Sequence, residues 1–233
     1  MVNQPMEPMG SAEMGESRST FVAKTYLWMF LGLMTTFAAS LAAIASGVFY
    51  VVFSTPAIFY ALLIAEVALV WILAGRLHKM SIGAARAMFF VYALVNGVTL
   101  SSIFFLYDLE SVALVFVFAA VIFGIMALFG YVTKSDLSGI GKVAMFGIFG
   151  LAIFWLLSLF FDFTAVEQTV CFIGLALFLA ITAYDTQKIK KFYEVYQYDN
   201  EMLQKASIYS ALQLYLDFVN VFLYLLRLLG KRK

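Results

Sequence analysis

Long apolar runs separated by short polar segments dominate the chain. A helix needs about 20 apolar residues to cross the hydrocarbon core of a bilayer, and seven runs reach roughly that length. The predicted helices occupy residues 25–50, 57–75, 84–106, 111–133, 143–161, 166–187 and 207–229, and the charged segment 187–205 is expected to be a loop between the last two. The pattern therefore predicts an all-α membrane protein whose seven transmembrane helices form one domain, residues 21–233.

The first twenty residues form a polar tail. The tail carries Glu7, Glu13 and Glu16, and it lacks the basic start and short apolar core of a secretory signal peptide. We expect residues 1–20 to be disordered, because so polar a segment buries too little apolar surface to order itself.

Composition agrees with this class. The 233 residues are 64% hydrophobic and 12% charged, whereas soluble domains are about 45–50% apolar and about 25% charged. A net charge of +1 gives no basic patch for nucleic acid, so we expect membrane lipid and no nucleic acid as partners. The single Cys171 rules out an internal disulfide, and the single His78 rules out chemistry that needs two histidines. We expect no cofactor.

The distribution of Lys and Arg predicts the orientation. Seven spans place the following basic residues on the side of the N-terminus: Arg18, Lys24, Arg76, Lys79, Arg86, Lys134, Lys142, Lys188, Lys190, Lys191 and Lys205. Loops on the other side carry only acidic charges, namely Asp108, Glu110, Asp162 and Glu167. We therefore expect a cytoplasmic N-terminus. The basic segment 230–233 conflicts with this rule, so either three cations are tolerated outside or the last helix does not fully cross.

Three acidic residues lie within the apolar runs. Glu66 is in the middle of the second predicted helix, Asp185 is near the end of the sixth, and Asp217 is inside the seventh. An ionised Asp at the bilayer centre costs about 2.5–3.5 kcal/mol on insertion scales, so such residues face the bundle interior or a water-filled cavity.

The two aspartates are candidates for a pair. Asp185 lies about 5 Å and Asp217 about 15 Å inside the same predicted boundary, at 1.5 Å per residue. Helix tilt closes part of that difference, and facing side chains bridge the roughly 8–10 Å between neighbouring helices. Two adjacent carboxyl groups would share one proton and titrate near physiological pH. Asn220, three residues beyond Asp217, could donate to it from the same helix face.

Each of these polar residues also has an ordinary structural interpretation. The alternatives are a helix-end ion pair of Asp185 with Lys188 or Lys190, a hydrogen-bonding role for Asp217, neutral packing of Glu66, a topology anchor at Arg76 and helix–helix contact through Asn96.

Five segments resemble one known family. They are "AEVALV" at 65–70, "NGVTLSSIF" at 96–104, "TKSDLSG" at 133–139, "AYDTQKIKK" at 183–191 and "LYLDFVNVFLYLLRLLG" at 214–230. Together they are similar to the Bax inhibitor-one family, also called the transmembrane Bax inhibitor motif family, and the short tails are closest to its bacterial members. The resemblance runs from about residue 20 to the end of the chain.

This resemblance implies a fold and a function. Six helices would pair around a central seventh, and the protein would be a pH-sensitive calcium leak in a bacterial inner membrane. Asp185 and Asp217 would form the pH sensor and bind calcium transiently as the permeating ion, with Arg76 latching onto Asp185. Glu66 would line the ion path together with Asn220. From the residues alone, carboxylate oxygens suit a calcium ion, and their small number suits a passing ion better than a stored one.

Two other functions compete with a channel. Members of such a family also act as regulators that bind a membrane protease or a cell-death regulator, so a membrane-protein partner is one alternative. An intramembrane aspartyl protease would need two aspartates that share a proton, and "YD" at 184–185 resembles half of its signature. The other half fails, because Asp217 follows "LYL" and no proline follows Pro56. We therefore expect no enzymatic activity.

Overall fold

The computed structural model describes residues 16–158 and 160–233, and this part of the chain is almost entirely helical. The elements are α1 Arg18–Ala45, α2 Val48–Ser54, α3 Pro56–Arg76, a 3₁₀ turn Leu77–Lys79, α4 Ile82–Leu100, α5 Ile103–Leu106, α6 Leu109–Val132, α7 Ser138–Leu157, α8 Thr164–Tyr196 and α9 Asn200–Leu229. Most of the tail predicted to be disordered lies outside the described residues. Within that predicted tail, α1 already begins at Arg18, where the Ser17 hydroxyl accepts a hydrogen bond from the Thr20 amide.

Seven of these helices are long and apolar enough to cross a membrane, which confirms the predicted number of spans. The first span was predicted to end at residue 50, but α1 already ends at Ala45. Gly47 follows with a φ of 76°, a backbone conformation that glycine adopts without steric cost. The chain turns there into the short α2.

The prediction for the segment between the last two spans was wrong. Residues 187–205 were expected to form a loop because they are rich in charge, yet only 197–199 lie between α8 and α9. Lys, Glu and Gln lower hydropathy but are good helix formers, so the helices continue beyond the apolar runs. The Asp199 carboxylate starts α9 by accepting a hydrogen bond from the Met202 amide.

Helix α9 lies at the centre of the bundle, as predicted, and its buried residues cover most of its length. It packs against α1, α4, α6 and α8. Around it, α1 and α3 pack on α4, while α6 and α7 pack on α8. The six outer spans therefore form two groups of three, and α9 lies between them.

Two glycines set the position of α8 next to the predicted pair. A Cβ atom at Gly130 of α6 would collide with the backbone of Ala183, and one at Gly141 of α7 would meet the Tyr184 ring at 2.5 Å. Small residues allow helix backbones in membranes to approach this closely. As a result, α6 and α7 hold α8 directly before Asp185.

The two ends of the bundle differ in charge. One end of the bundle contains the start of α1, segment 133–137 and segment 197–199, and we call it the N-terminal end. The opposite end is called the C-terminal end. At the C-terminal end the Lys231 ammonium lies 3.6 Å from the Asp108 carboxylate, and the Asp108 amide donates to the Lys231 carbonyl. The Arg232 guanidinium lies over the Tyr107 ring. Helix α9 thus runs through the whole bundle. This favours the first of the two explanations for the basic segment 230–233, namely that its three cations are tolerated on the side opposite the N-terminus.

Candidate functional site

Asp185 of α8 and Asp217 of α9 lie at the same level of an antiparallel helix pair. The Lys188 ammonium is 3.4 Å from the Gln213 side-chain oxygen, which fixes the register. Asp185 lies three residues before Lys188 in α8, and Asp217 lies four residues after Gln213 in α9. The two carboxyl groups are within electrostatic range of each other. The structure therefore brings together the two residues that the sequence placed about 10 Å apart in depth.

Both carboxyl groups are buried, with Asp185 6% and Asp217 5% exposed. Asp185 Oδ1 and Asp217 Oδ2 have no hydrogen-bond partner among the described residues. Burying an ionised carboxylate without a partner is costly, so such groups hold a proton or neutralise a cation. The pair, which we call the carboxylate pair, is suited to either role.

The charge of Lys188 acts on both Asp185 and Asp217. The sequence had offered Lys188 or Lys190 as a helix-end partner of Asp185. The Lys190 ammonium instead donates to the Tyr131 carbonyl at 2.6 Å. The sequence prediction thus included Lys188, and spacing could also have identified Gln213, because it lies four residues before Asp217.

Helix α1 closes the carboxylate pair from another side. The Tyr26 hydroxyl lies 3.0 Å from the Thr186 hydroxyl, one residue beyond Asp185, and Tyr26 is within electrostatic range of Asp217. The Thr25 hydroxyl lies 3.1 Å from that of Ser207. Helix α1 therefore adds the Tyr26 hydroxyl next to the pair, whereas the Thr25 contact lies nearer the start of α9. These hydroxyl contacts were missing from the sequence prediction.

The structure does not bring Arg76 to Asp185. Arg76 is exposed at the last residue of α3, and no hydrogen bond or ion pair joins it to another described residue. The reason is the packing of α3, which lies chiefly on α4 at the edge of the bundle. The depth of Arg76 was predicted from the sequence, but the depth does not determine which helix it faces.

Asn220 also has a different partner from the one predicted. Its side-chain amide donates to the Leu216 carbonyl at 2.8 Å, one turn back in α9, and no hydrogen bond to Asp217 is present in the described part of the chain. Polar side chains within helices often satisfy themselves in this way.

Glu66 is the centre of a second polar cluster. It lies ten residues from each end of α3, and its carboxylate accepts a 2.6 Å hydrogen bond from the Thr99 hydroxyl and a 3.3 Å one from the Asn96 amide. The Tyr215 hydroxyl donates to Asn96 Oδ1 at 2.9 Å and lies 2.6 Å from the Thr36 hydroxyl. We call these five residues the Glu66 cluster, and Tyr215 connects it to the helix that carries Asp217.

Comparison with known proteins gives the family. The model of the family described as "Inhibitor of apoptosis-promoting Bax1" matches residues 18–233. The Escherichia coli "Inner membrane protein YbhL" is 41% identical over 216 residues, which cover 92% of each chain. An uncharacterized protein of Borreliella burgdorferi is 35% identical over 93% of this chain and 94% of its own. An uncharacterized membrane protein of Streptococcus pyogenes is 34% identical over 76% of each.

The chain belongs to the Bax inhibitor-1 family. This membership confirms the resemblance seen in the sequence, and with the seven spans it identifies a multi-pass integral membrane protein. The Bax inhibitor-1 match begins at the first residue of α1 and includes both the carboxylate pair and the Glu66 cluster.

No group of three or more His, Cys, Asp or Glu side chains that could hold a metal ion occurs among the described residues. Resident calcium sites in proteins use six to eight oxygen ligands. Two carboxyl groups with free oxygens offer fewer, so the carboxylate pair is suited to brief contact with a cation.

Proposed function

We propose that this Bax inhibitor-1 family protein is a pH-sensitive calcium leak. The observation that carries the proposal is the carboxylate pair, two buried carboxyl groups on facing helices, each with an oxygen that has no hydrogen-bond partner among the described residues. Ionisable groups inside a membrane bundle are costly and mark ion or proton pathways. Asp185 and Asp217 serve as the pH sensor and as a transient calcium contact.

The pH dependence follows from the proximity of the two groups. Neighbouring carboxyl groups titrate as a unit, and the charge of the pair changes as it gains or loses its shared proton. A charged pair attracts a divalent cation more strongly than a protonated one. The rate of calcium movement through the bundle therefore varies with pH.

Glu66 provides a third carboxyl group, in the middle of α3. Calcium prefers oxygen ligands, and the Glu66 cluster combines carboxylate, amide and hydroxyl oxygens on α1, α3, α4 and α9. The central helix α9 carries both Tyr215 and Asp217, so it adjoins both sites. We propose that Glu66 lines the ion path and that the carboxylate pair controls the passage of ions along it.

We place the protein in a bacterial inner membrane with a cytoplasmic N-terminus. The name of the Escherichia coli relative states that membrane for that protein. The N-terminal end of the bundle holds most of the Lys and Arg side chains, which favours that end for the cytoplasm.

Reconstitution of the purified protein tests the proposal. Liposomes that contain the protein and a trapped calcium dye should show calcium entry above the rate of protein-free liposomes, with a rate that changes between about pH 5 and 8. Sodium and magnesium serve as comparison ions. Calcium entry equal to that of protein-free liposomes at every pH would contradict the proposal and favour a regulator that acts through a protein partner.

A further inference from the structure

A series of side chains leads from the N-terminal end of the bundle to the carboxylate pair. Helices α8 and α9 run antiparallel, so one turn toward the middle on α8 matches one turn toward the middle on α9. Going inward, the levels are Tyr196 with Ala206, Phe192 with Tyr209, Lys188 with Gln213, and Asp185 with Asp217. Lys188 and Gln213 are thus the last level before the carboxylate pair.

The two outer levels line a cavity. It has a volume of about 210 Å³ and lies between the end of α3, the 3₁₀ turn, α8 and α9, with Leu77, His78, Phe192, Tyr196 and Tyr209 in its wall. A cavity of this size has room for several water molecules. It therefore offers a hydrated cation an approach to the next level inward.

The Lys188 ammonium lies next to two aromatic rings of this cavity's wall. It lies 5.4 Å from the centre of the Phe192 ring and 5.7 Å from that of Tyr209, and both rings belong to the cavity wall. It also contacts Gln213 at 3.4 Å. The ammonium therefore lies beside rings that line the cavity, and its charge reaches both aspartates of the carboxylate pair.

We propose that Lys188 is a tethered cation that blocks the entrance from the N-terminal end to the carboxylate pair. This inference rests on the proposed leak function. A calcium ion that moves between the cavity and the pair must pass an ammonium group of the same sign, and two like charges a few ångströms apart repel strongly where water is scarce. Arg76, exposed at the edge of the bundle, does not occupy this position.

Substitution of Lys188 tests the charge directly. Lys188→Gln removes the charge and keeps a similar length, and it should raise calcium flux in liposomes by about tenfold or more. Lys188→Arg keeps the charge and should retain the low flux. Lys191→Gln is the matched control, because Lys191 lies on the same helix and pairs with Asp136 at the surface; it should leave flux unchanged.

Chemical restoration of the charge separates blocking from packing. In Lys188→Cys, a methanethiosulfonate reagent that attaches an ethylammonium group should return the flux to the wild-type rate, and one that attaches a neutral methyl group should not. The wild-type chain is the control for the reagents, since its single Cys171 is buried. Equal flux after both reagents would overturn the blocking role, because packing alone would then explain the effect.

The wild-type rate distinguishes this inference from the proposed function. If the wild-type protein conducts calcium and Lys188→Gln conducts at the same rate, Lys188 is no block and the leak function stands. If the wild-type protein and Lys188→Gln both match protein-free liposomes, the leak function itself fails, and the block fails with it.

Discussion

The contact between α6 and α8 gives a prediction whose size follows from the structure. A Cβ atom at Gly130 would lie 2.8 Å from the carbonyl carbon of Ala183, whereas carbon atoms in contact are about 3.5–4.0 Å apart. Gly130→Ala therefore forces the two helices apart by roughly 1 Å. Overpacking of this kind costs about 1–3 kcal/mol of stability.

Gly124→Ala is the control, because it lies on the same helix and a Cβ there meets nothing within 4 Å. Alanine favours a helix over glycine by about 1 kcal/mol in both variants, so their difference isolates the collision. For a chain of this size 1 kcal/mol shifts the melting temperature by about 2–4 °C. We expect Gly130→Ala to melt about 2–12 °C below Gly124→Ala in detergent, followed by tryptophan fluorescence. Melting temperatures within about 1 °C of each other would refute the close approach of α6 to Ala183.

Two further predictions concern flux and its pH dependence. Glu66→Gln should lower calcium flux and leave the pH midpoint of that flux in place. The control Glu110→Gln, at the exposed start of α6, should change neither quantity. Normal flux in Glu66→Gln would show that Glu66 has only a packing role. Hydrogen bonds from Ser138 and Lys191 lower the pKa of Asp136 to about 2, so the contribution of Asp136 to stability is present above its ordinary pKa of about 4 and is lost only as the pH falls through about 2. Asp136→Asn should therefore keep the wild-type pH profile of flux between about pH 5 and 8, and a shifted midpoint would show that the 133–137 segment takes part in pH sensing.

Hydropathy was sufficient to predict the seven spans and the burial of Asp217, because crossing a bilayer requires long apolar runs. It was not sufficient to place the ends of α8 and α9. The charged residues between 187 and 205 are unfavourable inside a membrane but have a high helix propensity. Hydropathy reports only the first of these two properties. The longer helices and their register bring Asp185 level with Asp217.

Partners across the bundle could not be predicted for a different reason. A sequence gives the depth of a residue in a span but not the neighbour that its helix face meets. Arg76 was predicted at the end of its span, where α3 does end, and yet α3 packs on α4 and leaves it exposed. Glu66 was predicted inside a span, but its bonds to Asn96 and Thr99 depend on how α3 and α4 cross.

The most direct test of the pH-sensing carboxylate pair is calcium flux through reconstituted Asp217→Asn, measured from about pH 5 to 8 beside the wild-type protein. An asparagine keeps the shape of the side chain and cannot titrate, so the pair loses its shared proton while the fold remains. The proposed role predicts a wild-type flux that changes with pH and a variant flux that is nearly constant over the same range. A variant whose flux follows the same pH profile as the wild-type protein would contradict it.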